Sequence, residues 1–153
     1  MKKTHSVQHH NWLQRLWSRC KPSGSNRPAR QRHGKEAERL ACAYLRRGGY
    51  EIEATNVRYP IGEVDIVAQD QGILCMVEVR SKTSDQFGSA TESITFKKRQ
   101  RLIKAAHWYL QARRPRWEGN VRFDVVAIEF RSSGEPKIEL LRNAFDAEPF
   151  ATA

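Results

Sequence analysis

Acidic residues are missing from two stretches of this chain, and each gap restricts what the chain can bind. Residues 1–33 carry eight Lys/Arg and no Asp or Glu. Between Ser93 and Trp117 there are again eight basic residues and no acid. Cysteine is scarce. Cys20, Cys42 and Cys75 are odd in number and lack metal-ligand spacing, which excludes a thiolate zinc motif and reads as a reduced, cytosolic protein. Long apolar runs are absent too, and nothing approaches the about 20 residues needed to span a bilayer.

What is present fits one domain with a real core: 153 residues with a formal net charge of +10 and a pI near 10.0. Residues 34–153 hold nineteen basic and seventeen acidic residues, so the first 33 supply most of the excess. Such a tail suits nucleic acid or an anionic membrane surface, and it also fits a solvated, disordered leader. Within it Trp12, Leu13, Leu16, Trp17 and Cys20 recur at helical spacing beside Arg15 and Arg19, as in a short interfacial or docking helix. The Arg-rich, acid-poor composition also resembles an organelle transit peptide. His5, His9 and His10 make no metal site by spacing.

Lys21 to Arg32 reads as a linker, with the domain beginning near Gly34 and ending near Asp146, and with 147–153 as a C-terminal tail. Ala37, Leu40, Ala41, Tyr44 and Leu45 predict a helix that Gly48-Gly49 stops. Tyr50, Ile52 and Ala54 alternate as a strand, then Val64, Ile66 and Ala68, then residues 73–80 as an apolar central strand. Residues 81–93, rich in Ser, Thr and Gly, read as a mobile connection. A second helix is predicted from Phe96 to Ala112, with Leu102, Ile103, Ala106, Tyr109 and Leu110 inward and Lys97, Arg101 and Lys104 on another face. Strands at Val121–Phe130 and Lys137–Leu141 complete the order α-β-β-β-α-β-β. Consecutive strands need hairpins and a helical crossover permits a parallel pair, so the expected fold is α/β with a mixed central sheet flanked by helices.

The basic helix crowds like charges at i, i+3 and i, i+4, a mild cost that a phosphate backbone would offset. The carboxylates point further. A two-residue loop at Gln71-Gly72 places Asp65 across from Glu78, their Cβ atoms roughly 5 Å apart, and Glu63 across from Arg80. Opposed acids repel, and a divalent cation between them reverses the sign. Glu38 borders the apolar stripe of the first helix and is a further carboxylate that can turn toward the sheet. This set suits metal-assisted phosphodiester hydrolysis with Mg²⁺ or Mn²⁺. A surface ladder of salt bridges is the plainer alternative.

Gly34-x-x-x-Glu38-x-x-Ala41-x-x-Tyr44-Leu45, Asn56, Gly62-Glu63-x-Asp65, Val77-Glu78-Val79-Arg80, Lys98 and Arg122-Phe123-Asp124-Val125-Val126 follow one another in the order of the YraN-like family of bacterial proteins, which the chain resembles from about Gly34 to Asp146. That family is a predicted member of the restriction-endonuclease-like PD-(D/E)xK superfamily and is similar in motif layout to archaeal Holliday-junction resolvases. The resemblance implies a nuclease core, Asp65 and Glu78 as metal-binding acids, Glu38 as the helix-borne acid completing the site, and a homodimer. The chain departs from the superfamily where Arg80 holds the motif's Lys position. An arginine stays protonated and cannot be a general base, though it can stabilise charge on a phosphate. Lys82, two residues on, can reach in.

Three functions follow: a metal-dependent endonuclease acting on DNA, branched DNA included, with Lys82, Lys97, Lys98, Arg101 and Lys104 holding phosphates; a nucleic-acid binder that keeps the fold without the chemistry; or a protein tethered through Trp12–Trp17 to a membrane surface or partner.

Overall fold

A computed structural model describes residues 29–83 and 94–147. The Trp12–Trp17 segment, the histidine tract and the basic tail up to residue 28 lie outside the described residues, as do 84–93 and 148–153. The first helix, α1 (Ala29–Arg47), is already under way five residues before Gly34, so the end of the expected linker is helical. Ala37, Leu40, Ala41 and Leu45 form its buried face, with Tyr44 only partly covered. The helix stops where Gly49 takes φ +89°, a conformation glycine enters without penalty. There the Tyr50 N–H returns to the Leu45 carbonyl at 3.0 Å.

Five strands follow in sheet order β1-β2-β3-β4-β5: β1 (Glu51–Tyr59), β2 (Gly62–Asp70), β3 (Ile73–Thr83), β4 (Val121–Phe130) and β5 (Lys137–Phe145). The β3–β4 pair is parallel and the other neighbours are antiparallel, which makes the sheet mixed as expected. The crossover between β3 and β4 contains α2 (Phe96–Arg113), capped by Thr95, whose hydroxyl accepts the Lys98 N–H at 3.4 Å. Together these give the predicted α-β-β-β-α-β-β order, consistent with a nuclease-like core.

The two helices cover opposite faces of the sheet. Leu102, Ala105, Ala106 and Tyr109 of α2 pack with Leu74, Met76, Phe123 and Val125, while α1 packs with Ile66, Ala68, Cys75, Val77 and Val126. Burying both faces explains why β3 and β4 read as nearly continuous apolar runs.

Three expectations change. Thr83 rather than Arg80 ends β3, so Ser81–Thr83 are strand. Strand β5 runs four residues beyond Leu141, past Asn143, whose φ of +50° coincides with a register shift opposite Phe123–Val125. Val64 does not share a face with Ile66 and Ala68. It packs with Val67 on the α2 side. Alternation is broken at Asp65, whose place across β1 falls to Asn56, between the pairs Thr55–Ile66 and Val57–Val64. Asn56 has φ +53°, a left-handed conformation that asparagine tolerates better than most residues and that kinks the edge strand.

Candidate active site

The β2–β3 hairpin closes through Gln71 and Gly72, both at positive φ (51° and 82°), as a type I′ turn requires. The resulting register pairs Asp70 with Ile73 and continues to Ile66 with Val77. One step on, the strands part. The next inward-facing donor of β3, the Val79 N–H, goes to Asp65 Oδ2 at 2.8 Å instead of to a backbone carbonyl. The acid thus fills the fork between β2 and β3 rather than standing in a regular pair with Glu78.

Glu78 shares the α2 side of β3 with Leu74 and Met76 and is buried, 7 % exposed. Its Oε1 lies 3.0 Å from the Lys98 ammonium on α2. Its Oε2 is buried with no hydrogen-bond partner. Burial, with the Glu78 charge second, pushes the Asp65 carboxyl up to about 7; the Val79 N–H and Lys98 oppose the rise, and Glu38 adds to it. Glu38, from α1 on the far side of the sheet, accepts from the Asn56 amide at 2.9 Å. The kink at Asn56 therefore fixes the third acid.

Glu78 and Glu38 both act electrostatically on Asp65, but among the described residues no three His, Cys, Asp or Glu side chains close into a joint metal shell. The pair Asp65–Glu78 fits a hard divalent cation: two oxygen donors, mutual repulsion to relieve, and an orphaned buried oxygen. Glu38, turned to Asn56, stands outside that pair.

The remaining predicted residues divide. Glu63 is exposed and ion-paired at 3.3 Å with Arg58, its neighbour on β1, because β2 has already left β3 at this point. Arg80 is half-buried two residues past Glu78, opposite Ala127 of β4. Lys82 turns to Glu129 of β4, 3.6 Å away. Lys97, Arg101 and Lys104 are exposed on α2. Two hollows share Arg58; Glu63 lines one and Glu38 the other, and neither is lined by Asp65 or Glu78. One of about 340 Å³ is lined by Arg58, Gly62, Lys98 and Arg101; a wider one of about 940 Å³ is lined by Lys35, Glu38, Asn56 and Arg58.

Residues 37–128 match the model of "Uncharacterised protein family UPF0102". A UPF0102 protein of Desulfosudis oleivorans is 40% identical over 118 residues, covering 77% of this chain and 93% of that protein. Relatives from Anaeromyxobacter sp. (43%, 78% of this chain, 88% of the relative) and Legionella pneumophila (39%, 76% and 97%) carry the same name. The chain belongs to the UPF0102, or YraN-like, family.

The UPF0102 chain also holds a polar cluster that the sequence did not announce. Arg122 donates to Asp124 Oδ1 and to Asp70 Oδ2, both at 2.8 Å, and to the Tyr50 hydroxyl at 2.8 Å, while the Asn143 N–H donates to Asp124 Oδ1 at 2.9 Å. Asp124 is 1 % exposed. Hydrogen bonds to Asp124 and Asp70 keep the guanidinium protonated more firmly than usual. Burial pushes the neighbouring Cys75 thiol up to about 12, so it is inert as a nucleophile. This cluster braces β5 and the β2–β3 turn, and its Arg-x-Asp spacing on one strand face was the signal available for it.

A second brace joins β1 to α2. Glu53 accepts from Gln69, the Tyr109 hydroxyl and Arg114. Among the described residues no helix is long and apolar enough to cross a membrane.

Proposed function

We propose that this UPF0102 chain is a metal-dependent endonuclease that hydrolyses phosphodiester bonds in DNA. The observation that carries the reading is the partnerless, buried Glu78 Oε2 beside a second carboxylate in the β2–β3 fork. Burying two repelling acids costs stability that Lys98 and the Val79 N–H offset only in part, so the arrangement suits a cation. Asp65 and Glu78 would hold Mg²⁺ or Mn²⁺, with Glu38 supporting from outside. Bound there, the ion would polarise a phosphoryl oxygen and acidify a water.

The chain's own residues do the rest. The Val79 N–H keeps Asp65 aimed into the fork. Asn56 keeps Glu38 oriented. Arg80, unable to accept a proton, offers a guanidinium to the phosphate. Lys97, Arg101 and Lys104 attract the neighbouring phosphates on the strand without reading sequence. Branched DNA is the first substrate to try, because the family's motif layout is similar to that of junction resolvases, and a homodimer in light scattering would accord with that similarity. The test is cleavage of plasmid and four-way junctions in Mg²⁺ and Mn²⁺ by wild type and Asp65→Ala. Cleavage by wild type alone supports the reading, and equal cleavage by both ends it.

Arg80 in the lysine place favours a second reading, a nucleic-acid binder without catalysis. It predicts salt-sensitive DNA binding that neither Mn²⁺ nor Glu78→Ala alters.

A further inference from the structure

Helix α2 begins with the wrong charge. Thr95 is the N-cap, which makes Lys98 the third helical residue, where a glutamate would complete a capping box and meet the positive end of the helix favourably. The first turn holds no acid at all; it holds Lys97 and Lys98. A lysine here opposes the helix dipole, and an acid outside the helix offsets that cost. That acid is Glu78, with 3.0 Å between Lys98 Nζ and Oε1. The ammonium is not sealed in: the side chain keeps 36 % of its exposure and lines the hollow that also contains Arg58 and Arg101. Lys98 is therefore a cation in contact with one of the two paired acids and open to a ligand at the same time.

We propose that Lys98, delivered by α2, is the catalytic lysine of this site, standing in from a helix for the lysine that the strand position of Arg80 lacks. The inference rests on the endonuclease reading and deepens it. In the free protein the ammonium balances Glu78. When a strand is bound and Glu78 is otherwise engaged, the ammonium turns to the nearest anion, a non-bridging oxygen of the scissile phosphate, within reach of the hollow it already lines. Arg80 and Lys98 then divide the work: the guanidinium holds the strand, and the compact ammonium bears on the reacting phosphate. Its place beside Glu78 also makes Lys98 a competitor for any cation bound there.

The experiment uses the full chain, with Lys98→Met, Lys98→Arg and Glu78→Ala, read by junction cleavage in Mn²⁺ and by Mn²⁺ calorimetry without DNA. Lys98→Met should cleave at least 100-fold more slowly yet bind Mn²⁺ several-fold more tightly, because Glu78 is freed. Removing a lysine that only balances Glu78 would likewise tighten Mn²⁺ binding but would leave cleavage unslowed, so the two readouts together separate the roles. Lys98→Arg, which keeps the charge and guards against a misfolded Met variant, should lie between the two. Cleavage by Lys98→Met within threefold of wild type overturns the assignment, and so does a loss of Mn²⁺ binding as complete as in Glu78→Ala. A wild type that neither cleaves nor binds Mn²⁺ removes the endonuclease reading itself, a result distinguishable from an active enzyme indifferent to Lys98.

Discussion

Asp65 takes the Val79 backbone N–H at 2.8 Å, at the point where β2 separates from β3. A strand fork of this kind leaves an unpaired backbone donor, and a carboxylate satisfies it while remaining available on its other oxygen. The same bond makes Asp65→Asn a clean variant, since an amide oxygen can still accept from Val79.

The Asp65 carboxyl is raised from the ordinary 3.8 to about 7, chiefly by burial and then by Glu78. The folded protein therefore holds this proton more firmly than the unfolded chain. Below about pH 4 both states are protonated and the full contribution is present. It is lost as pH rises toward 7, because the native state must then carry a buried charge. With chelator present, Asp65→Asn should match wild type near pH 4 and exceed it at pH 8 by on the order of 2 kcal/mol, several degrees in Tm. Melting curves at the two pH values check this; a variant less stable at pH 8 would contradict it.

Cation binding should reverse that penalty. At pH 8, Mn²⁺ at about 100 times its Kd should stabilise wild type by about 2.7 kcal/mol. Glu78→Ala and Asp65→Ala should show no such gain. A thermal-shift titration with Mn²⁺, Mg²⁺ and Ca²⁺ makes the measurement. Equal shifts in all three proteins would place the ion elsewhere.

Gly62 opens β2 under the backbone of α2. A Cβ there would stand 2.7 Å from the Arg101 carbonyl oxygen, and neither backbone can yield cheaply. Gly62→Ala should cost about 1–3 kcal/mol in urea unfolding, as overpacking does. It should also weaken DNA binding, since it pushes α2 away from the fork. A neutral substitution would mean that the β1–β2 turn is not seated against the helix.

Much of the site could be read before any coordinates because its register depends on one turn. Gln71-Gly72 is a two-residue loop with glycine in a demanding place, and the pairing of β2 with β3 follows from it by counting. What stayed hidden depends on left-handed residues other than glycine. Asn56 kinks β1, moves Val64 to the opposite face and anchors Glu38, yet locally it reads as one polar residue in a strand. Asn143 likewise conceals the second half of β5. Lys98 reads as one of several phosphate-holding charges, and its contact with Glu78 stays hidden because it joins elements 20 residues apart. Of the Asp70–Arg122–Asp124 cluster only the Arg-x-Asp spacing shows in the sequence, since three strands must assemble before Asp70 meets it.

That cluster supplies a control for every variant above. Asp124 is wholly buried and bonded to Arg122 and to the Asn143 N–H. Asp124→Ala strands both donors and should cost about 3–5 kcal/mol in urea unfolding, the range for breaking one side of a buried pair. The fraction still folded should bind Mn²⁺ as wild type does, because the brace touches neither fork acid. Weakened Mn²⁺ binding by the folded fraction would show the two ends of the sheet to be coupled.

The exposed face of α2 gives the sharpest test of the polyanion partner. Lys97, Arg101 and Lys104 are exposed, and nothing acidic lies between Ser93 and Trp117 to mask them. If each meets one phosphate, each Ala substitution should lower the slope of log K against log salt by about 0.9 on duplex DNA, and the triple variant by nearly three times that. The loss should be equal for unrelated sequences, since phosphate contacts carry no base information. Fluorescence anisotropy across a salt series with two unrelated duplexes measures both. An unchanged slope in the triple variant would remove the exposed face of α2 from the interface and turn the test to the eight basic residues of 1–33.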